Sequence, residues 1–158
     1  MKAIQFAHYG EPAQVLTVQD LPLPEPGEGE VRVRILASPV NPSDLLFVRG
    51  HYAGVQPQFP SPVGFEGIGT VDVLGSHVDH PVPGQRVAVI NGETGGNWAE
   101  YAVVPAHALL PVPDDLPDEQ IASFFINPAS AILMLRHVLA IPRGDGYSNR
   151  QPGPNWDA

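Results

Sequence analysis

A mainly β fold with some α, shaped as a small barrel or curled sheet, is what the sequence predicts, and three observations predict it. The 158 residues carry 19 Pro and 16 Gly, with proline at roughly twice the ~5% of average proteins; that density suits short strands between tight turns rather than a helical bundle. Stretches that alternate apolar and polar residues recur along the chain, each bounded by Gly, Pro or Asn. Hydrophobic residues make up 43% and charged ones 16%, enough to bury the core of one domain without staples.

Residues 1–6 alternate from the start, as a strand does, and show no apolar region of a signal peptide. Segment 21–29, with Pro22, Pro24 and Pro26, is an extended loop. In 31–37 the period of two puts Val31, Val33 and Ile35 on one face. Asn41-Pro42-Ser43-Asp44 opens a helix, with a capping Asn, Pro at the first helical position and an acid in the first turn; Gly50 ends it. Further strands are expected at 67–74, 86–90 and 98–104, and helices at about 118–124 and 128–140. In the last helix Ile132, Leu135, Val138 and Leu139 form an apolar stripe that Ala131 and Met134 widen, and so broad a stripe expects cover on more than one side. From 146 to 158 there is no period and little to bury, which reads as a disordered tail.

Composition excludes several function classes. The formal charge is −9 with no basic patch, so no nucleic acid partner is expected. Cysteine is absent, which removes disulfides, thiolate zinc sites and a cysteine nucleophile. The most apolar stretch, 121–141, is broken by Asn127, Pro128, Arg136 and His137, a poor membrane span; a soluble cytoplasmic protein without a membrane partner is expected. His77 and His80 are followed by Pro81 and have no third ligand near in sequence, so they read as a solvated turn and no metal is expected.

Several segments carry a resemblance: Asn41-Pro42-Ser43-Asp44, Gly50-His51-Tyr52, Val63-Gly64-Phe65-Glu66-Gly67, 71–78 with Gly75, Pro83-Gly84-Gln85-Arg86-Val87, Gly96-Asn97-Trp98-Ala99-Glu100-Tyr101 and Asn127-Pro128-Ala129-Ser130-Ala131. In this order and spacing they resemble the N-terminal catalytic domain of the medium-chain dehydrogenase/reductase superfamily, across residues 1 to about 145. The resemblance implies a GroES-like, partly open β-barrel over 1–127. It makes 128–145 a linking helix and the start of a nucleotide-binding domain, and 146–158 a tail. In the family a Rossmann domain that holds NAD(P)H normally follows.

The zinc branch of that superfamily needs a cysteine and a Gly-His-Glu motif, where this chain reads Gly64-Phe65-Glu66. The zinc-free branch resembled here includes NADPH-dependent 2-enoyl thioester reductases and quinone oxidoreductases, and both carry a tyrosine at the position of Tyr52. The Asn41 and Asn127 motifs look more like the enoyl reductases, with Ser130 where Thr is usual and Ile132 where an aromatic is common. The resemblance implies Tyr52 as catalytic residue, the donor that stabilises an enolate or supplies its proton. It implies Asn41 and Ser130 as cofactor-binding residues, at the ribose or amide edge and at the nicotinamide amide of NADPH. The implied partner is a small-molecule substrate, an enoyl thioester or a quinone. Each residue also has an ordinary role: Tyr52 packing on the loop ahead of Phe59-Pro60, Asn41 and Ser130 as helix caps. Glu66, read as lying in a Gly-rich turn, is expected to hydrogen-bond structurally.

After Asp145 the family continues with an apolar strand and a Gly/Ala-rich phosphate turn, and no Gly-x-Gly-x-x-Gly follows residue 145 here. Back-translated with a one-nucleotide shift, 146–158 can encode an apolar strand and a small-residue turn. The expectation is a truncated or frameshifted reading frame whose Rossmann domain is missing. Such a chain would be inactive alone, without tight NADPH binding, and prone to self-association through 128–140. The alternative class is a non-enzymatic GroES-like remnant or interaction module.

Overall fold

A computed structural model describes residues 1–92 and 95–139; segment 140–145, tail 146–158 and the last residue of the 128–140 helix lie outside the described residues. The chain divides into two units, Met1–Asn127 and Pro128–Ala158.

In the first unit the order is β1 (Lys2–Phe6), α1 (Pro12–Val15), β2 (Thr17–Asp20), β3 (Glu30–Ala37), α2 (Pro42–Val48), β4 (Ser61–Pro62), β5 (Glu66–Leu74), β6 (Arg86–Ile90), β7 (Tyr101–Pro105), β8 (Leu109–Pro111) and α3 (Asp118–Ala122). Two sheets form, β2-β1-β4 and β7-β3-β5-β6-β8, with antiparallel pairing throughout. The sheets do not close, and the expected open, mainly β architecture holds. Strand β7 starts at Tyr101 rather than at 98, because the run before it turns to the other sheet: the Ile4 N–H bonds Trp98 O at 2.9 Å and the Glu100 N–H bonds Lys2 O at 3.0 Å, while the Glu100 carbonyl still accepts the Ile35 N–H of β3 at 2.9 Å.

Alternation builds the core. Val31 and Val33 of β3, Val71 of β5, Val87 and Val89 of β6 and Val104 of β7 meet on one face. On the opposite face Arg32 is also buried, beneath the proline-rich loop, and the β3–β5 register shifts beside it, between Arg32 and Val33. Its guanidinium is paired with Asp72 at 2.7 Å and Glu25 at 3.0 Å and donates to Pro24 O at 3.0 Å, pinning the proline-rich loop to the sheet. A second cluster packs Phe6, Phe47, Val48, Val63 and Phe65, so α2 is held against the segment leading into β5. A third seats Ile121 and Ala122 of α3 on Ile68 and Ala88.

Helix α4 (Ile126–Leu133) begins before the expected 128, since Pro128 in a first turn sacrifices no intrahelical bond. In the second unit it continues as a π-helical turn, Met134–Val138. Ile132, Leu133, Met134, Val138 and Leu139 are all exposed.

Candidate functional site

The site starts from how the chain enters α2. Asn41 is the N-cap and Pro42 the first helical residue. Asp44 turns back so that its Oδ2 accepts the Asn41 N–H at 2.8 Å, one half of a capping box. Its Oδ1 accepts the Phe65 N–H at 3.1 Å. One carboxylate therefore fixes the start of α2 to the segment leading into β5. Asp44 is buried, and burial pushes its carboxyl above the usual aspartate range; the two backbone bonds oppose the shift and the nearby Glu66 charge adds to it.

Glu66 corrects the expectation of a Gly-rich turn: it is the first residue of β5 and only 2% exposed. Its Oε1 accepts Asn41 Nδ2–H at 2.7 Å and its Oε2 accepts the Ile126 N–H at 3.2 Å, while its carbonyl accepts the Ser38 hydroxyl at 2.6 Å. A buried carboxylate is tolerable when its oxygens are met by donors. The Asn41 amide is thus bound to a carboxylate 25 residues away in sequence, besides its place as a cap.

Tyr52 follows the C-terminal turn of α2, where Gly50 takes φ 76° and the His51 N–H closes on Leu46 O at 2.8 Å. Its ring stacks on Phe65 at 5.4 Å with planes 28° apart, and Phe65 packs on Phe47 at 5.1 Å. At 38% exposure, Tyr52 has a buried apolar face and a hydroxyl that bonds nothing among the described residues. The residue standing where a Gly-His-Glu motif would place a metal ligand is therefore the platform for the tyrosine. Among the described residues no three His, Asp or Glu side chains converge as metal ligands; His77 is at the surface beside Glu28 at 3.1 Å.

The dipeptide Phe65-Glu66 therefore organises both candidates in the first unit, one residue backing Tyr52 and the next holding Asn41. Ser130 is exposed on α4 in the second unit. Sequence reasoning gave Glu66 only a generic structural part; its burial and partners lie 25 and 60 residues away, beyond any local signal. A groove of about 590 Å³ over β1 and β3 is lined by Ile4, Leu36, Val40 and Trp98 among others and by none of these residues.

An open antiparallel GroES-like fold without metal ligands at its motif positions defines the class. The alcohol dehydrogenase GroES-like domain family matches residues 27–114, and the chain belongs to that family, in the zinc-free branch of the medium-chain dehydrogenase/reductase superfamily. The mitochondrial enoyl-[acyl-carrier-protein] reductase of Xenopus tropicalis is 36% identical over 144 residues, 91% of this chain and 41% of that protein. Escherichia coli quinone oxidoreductase complexed with NADPH superposes with a TM-score of 0.80 at 28% identity, covering 87% of this chain and 41% of that one. The Etr1p/NADP/crotonyl-CoA complex gives 0.73 at 29% identity, covering 86% and 43%. The chain spans about two fifths of the length of the curated relatives it matches. Among the described residues no helix is long and apolar enough to cross a membrane.

Proposed function

We propose that these residues are the catalytic-domain part of an NADPH-dependent, zinc-free oxidoreductase that reduces the activated double bond of a 2-enoyl thioester. The observation that carries this is the paired anchoring of Tyr52 and Asn41 on Phe65-Glu66, in a chain similar to enoyl reductases over nine tenths of its length. Asn41 offers polar amide atoms, and Ser130 a hydroxyl, to the nicotinamide side of NADPH, a fit in donor type. When bound, NADPH supplies hydride for the substrate β-carbon.

The protein's part is electrostatic and protic. Negative charge develops on the thioester carbonyl oxygen, and the Tyr52 hydroxyl, a neutral phenol at pH 7, donates to it or delivers the proton to the α-carbon. The stack on Phe65 covers one face of the ring and leaves the hydroxyl at the exposed end, where a substrate oxygen can reach it. A quinone as substrate is the second reading, favoured by the higher TM-score of the quinone oxidoreductase, 0.80 against 0.73.

Residues 1–158 span two fifths of the length of the enoyl reductases. Their exposed 128–139 segment drives self-association. We assign 1–127 as the GroES-like domain and 128–145 as the link toward a nucleotide-binding domain. The compartment proposed is aqueous, cytoplasm or, as the curated relatives' names say of them, mitochondrion. The test joins these residues to a nucleotide-binding domain and follows NADPH consumption with a 2-enoyl thioester and with a quinone. Turnover of the thioester at much the greater kcat/KM supports the proposal; preference for quinone selects the second reading, and no turnover of either leaves the non-enzymatic module.

A further inference from the structure

Glu66 is a buried carboxylate that the proposed chemistry does not use. We infer that it is a positioning residue for Asn41, fixing which end of the side-chain amide is which, so that Asn41 meets the nicotinamide side of NADPH as a hydrogen-bond donor. The inference rests on the proposed role of Asn41 at the cofactor.

Both Glu66 oxygens face hydrogens, those of Asn41 Nδ2 at 2.7 Å and Ile126 N at 3.2 Å. A carboxylate in that setting can only accept, so the end of the Asn41 amide turned to it is the NH₂. An asparagine alone is free to flip its amide, because oxygen and nitrogen fill the same space. Beside a buried carboxylate the flipped form sets two acceptors against each other, and it is excluded. The Asp44 N–H, which bonds the Asn41 carbonyl at 3.1 Å, also faces the Asn41 side chain in the capping box and favours the same orientation. One Nδ2 hydrogen is spent on Glu66, and the other is uncommitted among the described residues. It is the group available to a ligand oxygen, a ribose hydroxyl or a carboxamide oxygen. The Glu66 main chain is held by Ser38, whose hydroxyl bonds its backbone carbonyl at 2.6 Å, and the carboxylate is held by the Ile126 N–H at 3.2 Å, so the orientation is set by the fold and not by the ligand.

Glu66→Gln changes this without changing shape. A glutamine has one oxygen for two donors, Asn41 Nδ2–H and Ile126 N–H. If that oxygen keeps Ile126, its own NH₂ confronts Asn41 and the Asn41 amide turns over. The donor orientation then becomes a minor population, and apparent affinity falls by that fraction, about tenfold if a tenth remains.

The experiment uses the 158-residue chain and nuclear magnetic resonance of the Asn41 side-chain amide, with reduced nicotinamide mononucleotide as the probe. In wild type without ligand, one Nδ2 proton is expected downfield and slow to exchange, the other ordinary. Two equivalent, fast-exchanging protons overturn the inference, and this readout needs no variant to fold. Adding the probe should move the ordinary proton, and Glu66→Gln should weaken binding about tenfold while the chain keeps its dispersed spectrum. Equal affinity in both proteins overturns the positioning role and leaves the cofactor reading standing. A probe that never perturbs Asn41 in wild type, even at concentrations well above the millimolar range, overturns both, whether or not the downfield proton is present.

Discussion

Replacing Gly64 by alanine strikes the joint on which the site is built, and its cost follows from geometry. Gly64 has φ 97°, and a Cβ there would lie 2.5 Å from Trp98 Cδ1 and 2.8 Å from Trp98 N. A non-glycine residue in such a conformation costs about 1–3 kcal/mol, and forcing a methyl against packed backbone adds about 1–3 kcal/mol. Trp98 cannot retreat freely, because its N–H bonds Val63 O at 3.0 Å and its indole N–H bonds Pro39 O at 3.0 Å. A central loss of about 4 kcal/mol lowers Tm by roughly 8–16 °C in a protein of this size. Gly84 separates the two contributions, since it has φ 84° with nothing within 4 Å of its Cβ position; Gly84→Ala carries only the conformational cost, about 1–3 kcal/mol. Thermal unfolding followed by circular dichroism on wild type and both variants is the assay. Equal Tm losses in the two variants would refute the clash with Trp98.

Two further outcomes are expected. The Asp44 carboxyl is raised by burial, so the folded chain holds that proton where the unfolded chain has lost it. Its contribution to stability is present below the ordinary aspartate pKa and is lost as pH rises through the raised one. Asp44→Asn should flatten that part of a urea-midpoint profile against pH, and cost about 1–3 kcal/mol because one of the Asn41 and Phe65 N–H groups is left unpaired; an unaltered slope contradicts this. The isolated chain should bind NADPH no tighter than millimolar by fluorescence titration, and light scattering should show mass growing with concentration, reduced by Ile132→Lys with Val138→Lys. A clean monomer with micromolar affinity speaks against a domain that needs a partner.

The strands β3, β5 and β6 were legible because each is a short run rich in β-branched residues between Gly, Pro or Asn, although Arg32 and Ala88 are buried along with the flanking Val31/Val33 and Val87/Val89, and the α2 boundaries because Asn41, Pro42 and Gly50 have strong local preferences. Strand β2 was not, since Thr17–Asp20 is exposed along its whole length and exists by pairing with β1. Strand β4 is two residues and β8 three, too short to show a period. At the site, residue types were legible and partnerships were not. Asn41 reads locally as a cap, yet its amide goes to Glu66; Phe65 reads as a lost metal ligand, yet it is the floor under Tyr52. Those contacts join segments that only the folded sheet brings together.

Tyr52→Phe asks whether the Tyr52 hydroxyl acts on the reacting substrate. Phenylalanine keeps the ring that stacks on Phe65 at 5.4 Å and removes one donor. With these residues joined to a nucleotide-binding domain, and with NADPH and a 2-enoyl thioester, the variant should lose about 10²–10³ in kcat at unchanged Tm. A kcat equal to wild type in the folded variant would contradict that role.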